Sequence, residues 1–186
     1  MKDTTLDTLQ QAFTSRSLMR FSNRFEAGHA QGYVVAVGSR LVLFAIVDEG
    51  ARLNGFETHV IGNLRRVKPA PHAGFMEEAL SRRGERLTIP AIDLSDFASV
   101  IRSAALIFSL VTVHQQRIAP EACWIGKVSE VGPNAVFILE IDPDAVWESE
   151  PTRYRLDTLT QVDFGGAYEA ALALVAEAPA PPPMLH

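Results

Sequence analysis

Hydrophobic and polar positions alternate along two stretches of this sequence that lie 94 residues apart. Residues 32–48 read GYVVAVGSRLVLFAIVD, residues 126–142 read GKVSEVGPNAVFILEID, and six of the 17 positions are identical. A period of two is typical of β-strands, and the Gly-Ser and Gly-Pro-Asn segments between the apolar runs predict tight turns. Each stretch is therefore predicted to form two consecutive strands.

Helical periodicity flanks both stretches. Residues 5–14 and 95–105 precede them and place apolar side chains three and four positions apart, with Ser95 as the expected N-cap of the second helix. Residues 74–84 and 166–176 follow them, and their MEEAL and YEAAL segments correspond. We interpret the chain as one unit present twice, an internal duplication.

The repeated pattern resembles a known type of small barrel. Each copy has G-x-V-x-x-V-G, a turn, an apolar strand that ends in Asp, and then Ile/Leu-x-x-Leu-x-x-Val. This resembles the five-stranded Sm-like and SH3-like barrels, and the second copy is also similar to small bacterial proteins of uncertain role. The predicted fold is mainly β with flanking helices (α+β), as two tandem barrels. The expected boundaries are a first barrel at 1–86, a linker at 87–94, a second barrel at 95–178 and a Pro-rich flexible tail at 179–186.

The resemblance implies a fold more strongly than a function. Sm-like proteins typically bind RNA as rings, through a polar Asp/Asn loop and a basic-Gly pair. Asp48 and Asn54 lie near the first position, but Gly62-Asn63 and Asp157-Thr158 occupy the second, where no basic-Gly pair is present. The barrel is therefore carried over and the RNA function is not.

Charge and cysteine content narrow the function classes. The net charge of -5 disfavours a generic nucleic-acid binder. Residues 1–93 hold 12 Lys/Arg and 10 Asp/Glu, a net of +2, and residues 94–186 hold 5 and 12, a net of -7. The single cysteine, Cys123, allows no internal disulfide, and its strand-like neighbours predict a small buried residue. No signal peptide or apolar run of membrane-spanning length is apparent, so we expect a cytoplasmic protein.

No catalytic or metal-binding constellation emerges from the spacing of reactive residues. The histidines lack zinc-site spacing, and His59 and His114 are predicted to be half-buried structural residues of strands. The acidic run at 142–150 lacks the pattern of a calcium loop and is interpreted as a solvated hairpin tip. We expect no catalytic residue, no metal, no cofactor and no membrane partner. A small-ligand binder or enzyme in a groove between the barrels is the weakest alternative.

The leading hypothesis is a non-enzymatic interaction or scaffold module that binds protein partners or self-associates. Val42, Phe44 and Ile46 form an apolar strand face whose counterpart in the second copy carries Glu140 in place of Ile46. This face is predicted to be covered by a helix, by the other copy or by another subunit. Trp147, in the middle of the acidic run, is the second candidate for a contact surface, or it folds back on its own barrel.

A basic cluster supports the alternative hypothesis, in which the first barrel binds RNA or another nucleic acid. If the helix at 74–84 returns along the barrel, its basic end joins the later strand to form one basic face. The candidate residues are Arg65, Arg66, Lys68, Arg82 and Arg83.

Overall fold

The computed structural model describes residues 4–177, so the tail predicted at 179–186 lies outside the described residues. The described part forms an α+β fold with helices α1 (Thr5–Ser15), α2 (Ala73–Arg82), α3 (Phe97–Ala105) and α4 (Ala167–Val175). Its strands are β1 (Leu18–Asn23), β2 (Ala30–Val37), β3 (Leu41–Val47), β4 (Leu53–Val60), β5 (Leu64–Pro69), β6 (Val111–His114), β7 (Cys123–Val131), β8 (Ala135–Glu140), β9 (Thr152–Arg155) and β10 (Gln161–Phe164). Among these residues, no helix has the length and apolar character needed to cross a membrane.

All ten strands belong to one antiparallel sheet, in the order β5-β1-β2-β3-β4-β10-β6-β7-β8-β9. We call α1 to α2 the N-terminal unit and α3 to α4 the C-terminal unit. Each unit follows the order helix, four strands, 3-10 turn, strand, helix, and in each the last strand lies beside the first. The units join where β4 pairs with β10, with Gln161 opposite His59 and Phe164 opposite Phe56.

The open sheet corrects the prediction of two separate five-stranded barrels. In a closed barrel, the two end strands of the sheet pair with each other and no edge remains. Here β4 pairs with β10 of the other unit, and β5 and β9 stay at the two ends of the sheet. The physical reason is that β10 occupies the edge of β4 that closure of the N-terminal unit would need.

The largest hydrophobic cluster combines residues from both units. Leu43 and Ala45 of β3 pack in it with Val113 of β6, Phe164 of β10 and Ile101 of α3. Each of these five residues is at most 1% exposed. Burial of a large apolar side chain stabilises a fold by about 1.5–3 kcal/mol, so this cluster holds the β4–β10 junction together.

The N-cap of helix α3 lies one residue later in the chain than predicted. The Asp96 carboxylate accepts a hydrogen bond from the backbone N–H of Ser99 at 2.8 Å, which makes Asp96 the N-cap. Ser95, the predicted cap, instead donates its backbone N–H to the Asp93 carboxylate at 2.9 Å.

Strand β3 is buried on both faces. The face formed by Val42, Phe44 and Ile46 packs with Leu9 and Ala12 of α1, so the covering element is a helix of the same unit. Val42 and Phe44 are 0% exposed and Ile46 is 9% exposed. These three side chains are core residues in this structure, and they offer no free surface to a partner.

Two glycines at corresponding positions explain part of the sequence identity between the units. A Cβ atom on Gly32 would lie 2.6 Å from the backbone oxygen of Ala45 in the neighbouring strand. A Cβ atom on Gly126 would lie closer still to the backbone oxygen of Leu139. Both hairpins therefore require a residue without a side chain at this point.

The two aspartates that follow β3 and β8 also have the same role. The Asp48 carboxylate accepts a hydrogen bond from the backbone N–H of Arg52 at 3.0 Å. The Asp142 carboxylate accepts one from the backbone N–H of Val146 at 2.9 Å, again four residues later. Side chains that bond to nearby backbone groups in this way stabilise turns, so Asp142 has a structural role in the acidic loop.

The end strands of the sheet are poor templates for further strand pairing. Strand β5 exposes two arginines and a lysine and ends at Pro69, which has no backbone N–H. At the other end, Pro151 directly precedes β9, which has only four residues. Proline, charge and short length at an edge strand all suppress pairing with other chains.

Candidate functional site

An open groove of about 350 Å³ follows the outer edge of the sheet in the N-terminal unit. Strands β1 and β5 and the β1–β2 connection form it, and we call it the edge groove. Its basic side chains are Arg20, Arg24, His29, Arg65, Arg66 and Lys68. Segments that are distant in sequence therefore bring their basic residues into one groove.

A bulge in β5 explains why two consecutive arginines both reach solvent. Arg20 pairs with Lys68 and Ser22 pairs with Arg65, so β5 has one more residue than β1 between these pairs. Arg66 lies within the extra segment and adopts a left-handed φ of 51°. Because a bulge interrupts the alternation of side chains along a strand, both arginines and the lysine of β5 are exposed.

Within the described part of the chain, the cations of the edge groove have no salt-bridge partner. Neither its four arginines nor Lys68 form a salt bridge with any of residues 4–177. The Arg20 guanidinium instead donates to Nδ1 of His29 at 2.9 Å. Glu26 is the carboxylate in the lining, and it accepts a hydrogen bond from Gln116. The groove is therefore electropositive, and it favours an anionic ligand.

The structure divides the basic set that the sequence indicated. Arg65, Arg66 and Lys68 line the edge groove, whereas Arg82 and Arg83 lie at the end of α2 and are not part of the lining. Arg82 Nε donates to the Glu78 carboxylate, one turn earlier in the same helix, at 2.6 Å. The groove is thus built on the sheet edge without α2.

Three groove residues were missed by the sequence analysis. Arg20, Arg24 and His29 come from β1 and the connection that follows it, and the pairing of β1 with β5 brings them to Lys68 and its neighbours. Strand alternation in residues 20–24 was the available signal, since it places Arg20 and Arg24 on one face. Pairing between non-consecutive strands is not encoded in local periodicity.

A smaller cavity of about 150 Å³ adjoins the edge groove and shares Asn23, Glu26 and His29 with it. Glu57 and His59 of β4 complete its polar lining. The groove therefore extends from the outer basic edge toward the junction between the two units.

Two histidine–carboxylate pairs lie at this junction, and we call their four residues the seam cluster. His59 Nε2 is 2.8 Å from the Glu57 carboxylate, and His114 Nε2 is 2.7 Å from the Asp163 carboxylate. Both histidines lie in strands, as predicted; His114 is half-buried, as predicted, whereas His59 is fully buried. Asp163 was not predicted as the partner of His114, because the pairing of β10 with β6 joins distant parts of the chain. Glu57 lies two residues from His59 in the same strand and was missed despite this short spacing.

Two residues of the seam cluster, Glu57 and His114, have a pKa above the ordinary value of their side chains. Burial raises the pKa of Glu57, the hydrogen bond from His59 opposes this effect, and the nearby charges of Asp163 and Glu26 reinforce it. Burial alone lowers the pKa of His114, but the attraction of Asp163, aided by Glu57 and Glu26, outweighs burial and raises the pKa.

His59 is not placed to act as a general base. The residue is 2% exposed, and its ring lies edge-on to Phe21 and Phe44, with centroids 5.4 Å and 6.0 Å away. Its Nδ1 atom is buried and has no hydrogen-bond partner among the described residues. A general base must reach the proton that it removes, and the burial of the His59 ring disfavours that role.

Gln116 connects the two units beside the seam cluster. Its side chain, 3% exposed, accepts a hydrogen bond from Asn23 Nδ2 at 3.0 Å. It donates to Glu26 and, at 3.3 Å, to the Gln161 side-chain oxygen. Gln161 in turn donates to the Asp163 carboxylate at 2.9 Å. One polar network therefore joins β1, the β6–β7 connection and β10.

A second basic groove, of about 500 Å³, lies between the units, and we call it the junction groove. Arg40 enters it from the β2–β3 turn, and Arg153 and Arg155 enter from β9. Arg155 donates two hydrogen bonds to the Asp157 carboxylate, whereas Arg40 and Arg153 form no salt bridge with a described residue. The sequence analysis kept a ligand site between the two copies as an alternative, and the groove at this position is open to solvent.

Trp147 folds back on its own unit. Its indole Nε1 donates to the backbone carbonyl of Glu177 at 2.7 Å. Its ring packs with Leu110, Ile141 and Leu172 in a small core beneath α4. The side chain is half-buried, and its main contacts are intramolecular.

Cys123 is exposed, which corrects the prediction that it is buried. It lies opposite His114 in the pairing of β6 with β7. Partial burial raises the pKa of its thiol, and the charges of Asp163 and Glu169 raise it further. Because the thiolate is the reactive form, this environment disfavours a nucleophilic role.

The acidic loop at 142–150 holds its first carboxylate in a turn rather than in a shared site. Within residues 4–177, no group of three or more His, Cys, Asp or Glu side chains is arranged to hold a metal ion. No protein-family model, curated protein or solved structure matches this chain.

Proposed function

We propose that this protein is a non-enzymatic binding module whose edge groove holds the phosphate backbone of single-stranded RNA. The observation that supports this function is the convergence of four arginines and one lysine in one groove, without a salt bridge to any described residue. Arg and Lys clusters bind phosphate oxygens through charge-assisted hydrogen bonds that do not depend on base sequence.

The uneven charge of the chain favours a flexible ligand. The half that contains the edge groove has a net charge of +2, and the other half has a net charge of -7. An acidic surface repels a polyanion, so favourable contacts are confined to the groove. A single strand bends to follow one narrow groove, whereas a stiff duplex would also approach the acidic half.

The state of the reactive side chains supports binding without catalysis. His59 is buried away from solvent, and His114 is held by Asp163 at 2.7 Å. The raised pKa of the Cys123 thiol keeps it protonated. None of the three combines the access and the protonation state that acid–base or nucleophilic catalysis requires.

The salt dependence of binding tests the proposal. For single-stranded nucleic acid, the logarithm of affinity falls with the logarithm of salt concentration by about 0.7 per phosphate contact. Contacts from all five cations therefore give a slope of about -3.5, and an affinity loss of about 100-fold between about 50 mM and about 200 mM salt. Fluorescence anisotropy with a labelled short RNA of mixed sequence measures this slope.

A matched pair of variants identifies the groove. Arg65→Gln/Arg66→Gln and Arg82→Gln/Arg83→Gln make the same change in net charge, but only the first pair lines the groove. The first variant should reduce the slope to about -2.1, and the second should leave it near the value of the unmodified protein. Equal effects of both variants, or no retention of RNA at low salt, would end the proposal.

The junction groove supports a second candidate function, the binding of a small anionic ligand. Its volume of about 500 Å³ lies within the range of ordinary ligand pockets, and Arg40 and Arg153 enter it without salt-bridge partners among the described residues. Calorimetry with inorganic pyrophosphate should show binding that Arg40→Gln/Arg153→Gln removes and Arg65→Gln/Arg66→Gln retains. Absence of a binding signal for the unmodified protein would reject this candidate.

We also propose that the units are two copies of one Sm-like or SH3-like ancestor, related by internal duplication. The shared element order and the matching roles of Gly32 with Gly126 and of Asp48 with Asp142 support this relationship. If the hairpins correspond, a chain in which residues 32–48 replace residues 126–142 should still unfold cooperatively. Loss of cooperative unfolding in that chain would contradict it.

A further inference from the structure

Helix α4 turns an uncharged face toward solvent. Its one charged residue, Glu169, accepts a hydrogen bond from the Thr112 hydroxyl at 2.7 Å and so faces the sheet. Leu172 is the residue of the helix that is buried, whereas Leu174 and Val175 are 86% and 70% exposed. The outward face of a surface helix normally carries polar residues, so this face lacks its expected composition.

The apolar surface continues beyond the helix. Leu106 and Ile107, which follow α3, are 88% and 52% exposed. A crevice of about 200 Å³ lies between this connection and α4, with Ile107, Ala170 and Ala173 in its lining. We call the combined surface the α4 patch: Leu106, Ile107, Ala170, Ala173, Leu174 and Val175.

We propose that the α4 patch is the contact surface of a symmetric dimer of this chain. Its exposed apolar area is on the order of 500 Å², which is near the upper limit for patches on monomeric proteins. A standard interface buries about 800 Å² on each partner, so the patch supplies much of what one side of a dimer needs. This inference is independent of the RNA proposal.

The composition of the patch favours a second copy as its occupant. Across a two-fold axis the same surface of each copy meets the other. Glu169 is the carboxylate in the crevice of the patch, and the Thr112 hydroxyl of the same chain already donates to it. Ala170 and Ala173 are small, so two α4 helices can approach to the short distances found between packed helices.

The described chain ends at Glu177, on the side of α4 that faces the core. Glu177 is held by the indole of Trp147, which packs beside Leu172 and Ala176. Leu172 and Leu174 are two positions apart in a helix, and residues at this spacing point to nearly opposite sides. The chain therefore leaves α4 on the side that faces the core, away from the patch.

Light scattering after gel filtration tests the dimer. The full chain should have a mass twice its 20.4 kDa, and the dimer should persist at high salt because apolar contacts are not screened. Leu174→Glu should convert the protein to a monomer across an about hundredfold range of concentration. Phe75→Glu is the matched control, because Phe75 is also exposed, at 72%, on a different helix, and this variant should remain dimeric.

Each outcome supports or overturns the inference. A monomeric full chain at all concentrations overturns it, as does a dimer that Leu174→Glu leaves intact. If the circular dichroism spectrum shows that Leu174→Glu does not fold, Ile107→Glu tests the same contact from outside the helix. A dimer that persists in the Ile107→Glu variant also overturns the inference. If removal of residues 178–186 from a monomer increases binding of an apolar dye, the C-terminal segment is the occupant and the dimer proposal fails.

Discussion

Substitution of Gln116 by leucine should weaken the fold far more than the same substitution one residue earlier. Leucine is close to glutamine in size, so the change removes hydrogen bonds without opening a large cavity. It leaves Asn23 Nδ2 and the side-chain oxygen of Gln161 without their partner. Both of these residues are only 4% exposed, so water cannot readily replace the lost bonds.

The expected magnitude follows from the number of orphaned groups. A buried polar group that loses its hydrogen-bond partner costs about 1–3 kcal/mol. Two such groups predict a loss of about 2–6 kcal/mol from Gln116→Leu, a large share of the about 5–15 kcal/mol that stabilises an ordinary protein. Glu26 is exposed and can turn to water, so it adds little.

Gln115→Leu is the matched control. Gln115 donates to the Thr158 hydroxyl, and both side chains are half-buried, so water can satisfy the bond that is lost. The loss should stay below about 1 kcal/mol. Urea unfolding followed by circular dichroism and by tryptophan fluorescence measures both variants. Both tryptophans are in the C-terminal unit, so coincident transitions also test whether the two units unfold together.

Equal stabilities of the Gln116→Leu and Gln115→Leu variants would refute this reasoning. A Gln116→Leu variant whose free energy of unfolding is within about 1 kcal/mol of that of the unmodified protein would also refute it. This result would show that the substitution leaves no buried polar group without a hydrogen-bond partner. Separate transitions for the two probes would show that the shared core does not couple the units.

Three further predictions concern the hairpins, the seam cluster and the hydrogen bond from Trp147 to Glu177. Gly126→Ala should destabilise the protein severely, because its Cβ would meet a backbone carbonyl of β8, whereas Gly132→Ala, with its nearest neighbour at 3.5 Å, should be tolerated in thermal unfolding. Because the pKa of His114 is raised in the folded state, its stabilisation is complete below about pH 6.5 and is lost as the pH rises above that value, so the urea midpoint should fall with rising pH. Asp163→Asn should flatten that dependence, and an unchanged slope would contradict it. Trp147→Phe should cost about 0.5–1.5 kcal/mol through its lost hydrogen bond, and an unaltered urea midpoint would show that the indole contributes nothing.

Local sequence signals predicted the elements well. The helical spacing in residues 5–14 and 95–105 corresponds to α1 and α3, and alternation around Gly32 and Gly126 corresponds to the two long hairpins. These signals are local, because a helix or hairpin forms between residues that are close in sequence. The α+β class follows from them.

Arrangement beyond the hairpins could not be predicted in the same way. The joining of β4 to β10 depends on residues about a hundred positions apart, and no local periodicity specifies it. For this reason the sheet is open, and Asp163 was missed as the partner of His114. The edge groove was predicted in part, since Arg65 and Arg66 are adjacent in sequence but Arg20 reaches them only through β1–β5 pairing.

Val42, Phe44 and Ile46 illustrate a different limit. Their apolar character correctly indicated that something covers this face, but it did not distinguish a helix of the same unit from a partner molecule. Leu9 and Ala12 of α1 provide the cover. The α4 patch, by contrast, lies entirely outside the hairpins. The comparison of the two copies concentrated on their strands and therefore gave no signal for it.

The junction between the units also has a consequence during synthesis. Strand β4 ends at Val60 and its partner β10 begins at Gln161, so about a hundred residues are translated while this edge has no partner. At about 5–20 residues per second, the delay lasts roughly 5–20 s. A bare apolar edge would invite neighbouring nascent chains to add a strand, and polar or charged side chains that point inward are one means by which natural sheets prevent this. Glu57 and His59 therefore make the unpaired edge of β4 less favourable for pairing with other chains until β10 has been synthesised and pairs with it.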